Sequence, residues 1–199
     1  MKSAMRKIVC TLMLGAFAAS AQTRSAPPLQ HYNDAENGVS FNYVSPWRPL
    51  DTGKDTDYLR PSIQPVIAAI VLDTTNPPYP GTDFAGLSFS YAIAPAKTAA
   101  ACAAVITQFG DTAPGAPVKV NGVRFSFAEG GDAAMNHQMT ERLYSTFANG
   151  RCYVFDLSLA TAGFGPTDDG VRQMNDAERK DAEESLDDIF STVRIATLK

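Results

Sequence analysis

Between residues 66 and 72 the chain reads Val-Ile-Ala-Ala-Ile-Val-Leu, an unbroken apolar run with β-branched residues that predicts a central strand covered on both faces. The next strand, Leu87 to Ala92, sets Leu87, Phe89 and Tyr91 on one face and pairs with the first as an antiparallel hairpin across the turn-rich stretch Asp73 to Asp83. Upstream, Leu29 to Tyr32 and Val39 to Tyr43 flank Asn33 to Gly38, where Asn37-Gly38 supplies residues that accept positive φ, and Pro46 and Trp47 close the second strand. Downstream, Val118 to Val120 and Val123 to Phe127 flank Asn121-Gly122; Val123, Phe125 and Phe127 alternate with polar or small neighbours, and Glu129 to Ala134 reads as a loop. The strongest hairpin pattern joins His137 to Phe147 and Cys152 to Leu159 through Asn149-Gly150. In its second strand Tyr153, Phe155, Leu157 and Leu159 share one face while Cys152 and Val154 share the other, so both faces should receive cover.

Two stretches switch to the helical period. Thr98 to Phe109 places Cys102, Val105, Ile106 and Phe109 at i, i+3, i+4 and i+7, with Thr98 as N-cap and Gly110 just past the end. Cys102 lies on the stripe that must be buried, and Cys152 could meet it there, tying helix to sheet. Asp176 to about Ser191 carries Leu186, Ile189, Phe190 and Val193 at helical spacing beneath an acidic outer face, and Val193 to Ala196 follows as a short closing strand. Two helices against a mostly antiparallel sheet make an α+β sandwich.

The first residues follow neither period. Lys2, Arg6 and Lys7 precede an apolar stretch from Ile8 to Ala18 and the small residues Ala19, Ser20 and Ala21, the pattern of a secretory signal peptide cleaved after Ala21. Such a run is too short to anchor across about 30 Å of hydrocarbon, and no later stretch approaches the roughly 20 apolar residues of a spanning helix. The expected mature chain is secreted or periplasmic without a transmembrane anchor: a flexible leader over 22–28, then one domain over 29–199. Cys10 sits near the start of the apolar stretch rather than at its end, which argues against lipidation.

Cleavage changes the composition. The formal charge of −4 becomes −7, with 14 basic against 21 acidic residues, which disfavours nucleic acid and anionic membrane as partners because both need clustered Lys and Arg. Cys10 departs, leaving Cys102 and Cys152 in a compartment that permits oxidation. One disulfide is the default reading; it would close a loop of about 50 residues and contribute roughly 4 kcal/mol by chain entropy. A redox pair or a metal site competes with it, but neither cysteine lies in C-x-x-C and the chain has only His31 and His137.

Motifs of catalysis are weak. Gly86-Leu87-Ser88-Phe89-Ser90 lacks the second Gly of a nucleophile elbow and lies inside a strand pattern. Gly163-Phe164-Gly165 is followed by Pro166 and lacks the strand and helix context of a phosphate cradle. Asp51, Asp55 and Asp57 crowd one loop without the spacing of a calcium-binding EF-hand. His137 and Glu141 share a strand face as i and i+4, but that spacing sets them about 13 Å apart, too far to act directly on one another. His31 reads as structural or exposed, and Trp47, after a core strand, as a packing residue. No catalytic residue and no cofactor is expected.

The segment Asn37-Gly38-Val39-Ser40-Phe41-Asn42-Tyr43-Val44-Ser45-Pro46-Trp47 resembles the opening of PsbP-like domains and their bacterial extracytoplasmic relatives. Weaker similarity continues in Gly150-Arg151-Cys152-Tyr153-Val154-Phe155 and Ile189-Phe190-Ser191-Thr192-Val193. The resemblance implies a PsbP-like sandwich and a non-enzymatic accessory role, docking on or helping to assemble a larger envelope complex through another extracytoplasmic protein. Metal-binding members use His and carboxylate positions that do not match His31 or His137, so no ligand is carried over. The alternative is a small-ligand-binding protein with its cleft between the sheet and the loops at Arg48 to Pro65 and Asp73 to Asp83.

Overall fold

The computed structural model describes residues 27–50, 65–73, 77–108, 112–134, 137–162 and 170–198. The signal-like segment, the Asp51, Asp55 and Asp57 loop, Phe109 and Gly110, and Gly163-Phe164-Gly165 lie outside them.

Where an Asn-Gly pair interrupts the period-two pattern, the chain reverses. Asn121 and Gly122, with φ of 46° and 86°, link β7 (Val118–Val120) to β8 (Val123–Ala134). Asn149 and Gly150, at 51° and 71°, link β9 (His137–Ala148) to β10 (Arg151–Ala162), and both turns have the positive φ pair that matches strand twist. The first hairpin joins β1 (Leu29–Asp34) to β2 (Val39–Val44); its strand runs on through Asn33 and Asp34, so only Gly38 of the turn takes positive φ.

The strands form two sheets rather than one. The larger runs β3 (Arg48–Pro49), β4 (Val66–Asp73), β5 (Phe84–Ala94), β10, β9, β8 and β6 (Ala113–Pro114), with β7 pairing on β8, and every strand pair in it is antiparallel. The smaller joins β1, β2 and β11 (Arg194–Ile195) and lies over the larger. The central position expected for residues 66 to 72 belongs instead to β10. Val66–Asp73 is next to the edge, although Ala69 to Leu72 are buried on both faces as the apolar run requires.

One face of the large sheet is aromatic. Tyr91, Phe89, Phe155 and Tyr153 are each 1% exposed or less, and they meet Phe41 of β2 and the buried stripe of α2 (Asp176–Ser191), namely Ala182, Leu186, Ile189 and Phe190. Phe190 stacks on Tyr144 at 4.1 Å between ring centroids and meets Phe125 edge-on at 5.2 Å. Asn175 caps α2 in a reciprocal box with Glu178.

The opposite face is covered by α1 (Ala99–Val105), capped by Thr98, which buries Cys102 and sets Ile106 at its C-cap. This helix stops short of the expected Phe109, because Thr107 and Gln108 donate their amides to Ala104 and Val105 in i to i+3 turns that end the α ladder. A second correction concerns Glu129 to Ala134, which is strand, not loop. Its glycines answer to neighbours rather than to a turn: a Cβ on Gly131 would sit 2.4 Å from the Met139 carbonyl oxygen, and one on Gly130 2.7 Å from Thr112 Cγ2.

Candidate functional site

Register decides which side chains leave the aromatic face. In β10 the residues between Tyr153, Phe155, Leu157 and Leu159 point the other way, and they bring two kinds of surface to the α1 side. Toward the Asn149-Gly150 end, Cys152 and Val154 join Ala92, Ala94, Leu143 and Ala128 in an apolar cluster under Cys102 and Ile106. Cys102 and Cys152 are disulfide-bonded, with Cα atoms 5.4 Å apart, which fixes α1 to the middle strand of the sheet.

Further along the same face the row turns polar. Asp156 stands opposite Ser90 of β5, and on the next rung Ser158 stands between Ser88 of β5 and Glu141 of β9, so hydroxyls and carboxylates cluster there. All five are at most 4% exposed, and the Ser158 hydroxyl donates to Asp156 Oδ1 at 2.6 Å. Asp156 and Glu141 each have an interaction partner as well. Buried polar groups satisfied in this way hold a sheet in register without being open to a substrate.

Between these surfaces and the β8 edge lies a recess of about 180 Å³. Its roof is Ala99, Cys102 and Ala103 of α1, and its floor is Arg124 and Ser126 of β8 with Ser145 and Phe147 of β9. Ser126 and Ser145 are direct cross-strand partners. Ser145 is 1% exposed, and its Oγ has no hydrogen-bond partner. Arg124 is exposed, and no carboxylate among the described residues pairs with it. The Thr146 hydroxyl is occupied, donating to the Arg124 carbonyl at 2.9 Å.

On the aromatic side, a polar network ties the small sheet down. The Tyr91 hydroxyl donates to Asp34, which also accepts from the Asn37 amide at 3.0 Å and its Nδ2 at 2.8 Å. Burial raises the Asp34 carboxyl, but these hydrogen bonds outweigh it and hold the group below the usual carboxylate range. Burial, then the bond to Asp34, pushes the Tyr91 hydroxyl well above its ordinary value, and Tyr32 is raised mainly by burial. Arg151 reaches Asn37 and the Glu36 carbonyl, and Tyr153 donates to the Asn37 carbonyl at 2.9 Å.

The residues singled out by sequence are scattered. His31 is exposed on β1, with Nδ1 2.7 Å from Asn42 Oδ1. His137 is exposed at the start of β9, whereas Glu141 is buried in the polar row. Trp47 packs in the aromatic core at 5% exposure, and Ser88 is buried within β5. Among the described residues no group of three or more His, Cys, Asp or Glu side chains is arranged to hold a metal. Sequence reasoning missed Arg124, Ser126 and Ser145. Their signal was present as the polar half of an alternating strand, which reads as a solvent face until α1 is placed over it.

No protein-family model and no curated protein matches the chain. Solved structures do. The solution structure of a cyanobacterial PsbP from Synechocystis is similar over 90% of this chain and 99% of its own, at 16% identity and a TM-score of 0.46. LpqN of Mycobacterium tuberculosis, described as involved in cell envelope biogenesis, is similar over 84% of this chain and 91% of its own, at 13% identity and a TM-score of 0.45. A Bacteroides thetaiotaomicron protein is similar over 84% of this chain at 13% identity and a TM-score of 0.44, and the chain spans about half of its length (48%).

Proposed function

We propose that the protein works outside the cytoplasm as a non-enzymatic accessory domain, docking on another extracytoplasmic protein to assist a larger envelope complex. The observation that carries this reading is the Cys102–Cys152 bridge, because disulfides form and persist in oxidising compartments and are rare in the cytosol. The signal-like pattern of residues 1 to 21 agrees with it. The non-enzymatic part is supported by the polar inventory: Ser88, Ser90 and Ser158 are buried within strands, while His31 and His137 sit exposed on separate elements. Docking is supported by the outer face of α2, where Asp181, Glu184, Asp187 and Asp188 are exposed on a rigid, well-anchored helix. Among the described residues, no helix is long and apolar enough to cross a membrane.

Photocrosslinking from position 184 in the native envelope fraction tests this. A discrete protein adduct, absent when the same probe is at position 124, is the expected result; no adduct above a mock sample would remove the docking role.

A second reading, a small-ligand-binding protein, is favoured by the recess under α1. Of the cleft anticipated between the sheet and residues 48–65 and 73–83, residues 51–64 and 74–76 lie outside the described residues.

A further inference from the structure

A buried hydroxyl without a partner is costly, since burial strips its water and the protein returns nothing. Ser145 Oγ is such a group, and Ser145 is one of the residues at the base of a recess. The lining around it has one chemical sense. Ser126 and Ser145 bring hydroxyls from paired positions on adjacent strands, and Arg124 adds a guanidinium; among the described residues, no carboxylate pairs with Arg124 and no Asp or Glu lines the space. Opposite them, Ala99, Ala103 and Phe147 offer apolar wall. A complementary ligand therefore carries an acceptor-rich negative head and a small apolar body. At about 180 Å³ the space exceeds the roughly 150 Å³ that accommodates benzene in an engineered cavity.

We propose that the recess between α1, β8 and β9 is a binding site for a compact organic monocarboxylate, with its carboxylate held by Arg124, Ser126 and Ser145 and its apolar body against Ala99, Ala103 and Phe147. The guanidinium supplies a planar donor fork matched to a carboxylate, and the serine hydroxyls turn to donate. The disulfide holds the roof at a set distance from the floor, so the site is preformed. This site goes beyond the accessory role and stands or falls apart from it, because none of its residues lies on α2.

Benzoate titrated into the oxidised full chain, followed by amide chemical shifts, tests the assignment. Saturable shifts are expected for residues 99–103, 124–126 and 145–147, with Kd of about 1 mM or tighter. Benzamide, the neutral isostere, and the Arg124→Gln variant should each bind at least about tenfold more weakly. Ser145→Ala should weaken benzoate while leaving the melting temperature unchanged or higher, a combination that a structural hydroxyl would not give. Absence of saturable shifts, shifts confined to other residues, or equal binding of benzamide would overturn the proposal. Equal binding of inorganic phosphate would also overturn it, by removing the role of the apolar wall.

Discussion

The two faces of the large sheet solve the same problem with different materials. On one, Phe89, Tyr91, Phe155 and Phe125 meet a 16-residue helix and a second sheet, and the contact is made by large rings in edge and stacked arrangements. On the other, a 7-residue helix sits on small side chains, and a covalent bridge holds it. Apolar area stabilises in proportion to what is buried, so a long amphipathic helix docks by packing, whereas a short one has too little surface to do so. The difference assigns stability to the aromatic face and leaves the stapled face free to carry polar groups and a recess.

Four measurements would break or sharpen that contrast. Phe155→Ala, at the centre of the aromatic face, should cost about 3–5 kcal/mol in denaturant unfolding; a loss below 1 kcal/mol would mean that this face is not the main source of stability. Replacing Cys102 and Cys152 together by alanine should cost about 2–4 kcal/mol, since the bridge spans a sequence separation of 50 residues. Retention of full stability would show that α1 docks by packing after all.

Tyr91→Phe removes the donor to Asp34 and should cost about 2 kcal/mol, the scale of a hydrogen bond to a charged group. It also has a pH signature. Because the Tyr91 hydroxyl is raised in the native state, it stays protonated while the unfolded tyrosine ionises near its ordinary 10.0, so native stability should fall above pH 10 and fall less steeply in the variant. The smallest effect lies at the N-terminus of α2. The Arg172 hydrogen bonds, then the Asn175 amide, lower the partly exposed Glu178 carboxyl from 4.5 to about 2. Its contribution is complete above pH 4.5 and is lost as the pH falls through 2, so Glu178→Gln should flatten the acid limb of a thermal-melt series in that window.

What could be read from the chain was local or periodic. The reversals at Asn121-Gly122 and Asn149-Gly150, the span of α2 and the division of β10 between Tyr153 and Cys152 faces all follow from contacts within a few residues or from the strand period. Glu129 to Ala134 misled because Gly130 and Gly131 look like turn residues in isolation; their reason is the approach of Thr112 and of the Met139 carbonyl, which no local pattern reports. The division into two sheets and the central place of β10 depend on pairings between distant segments. For the same reason Arg124, Ser126 and Ser145 stood out only as polar alternation. Their common recess exists because α1, far from them in sequence terms that matter to periodicity, comes down on that side.

The large sheet carries a two-residue strand at each margin, Arg48–Pro49 on one side and Ala113–Pro114, which shares its margin with the three-residue β7, on the other. Each finishes on proline, whose ring nitrogen has no hydrogen to offer to a neighbouring strand. A second molecule arriving at either margin finds a stub where a ladder would be needed. Association strand upon strand through these two stubs is therefore disfavoured.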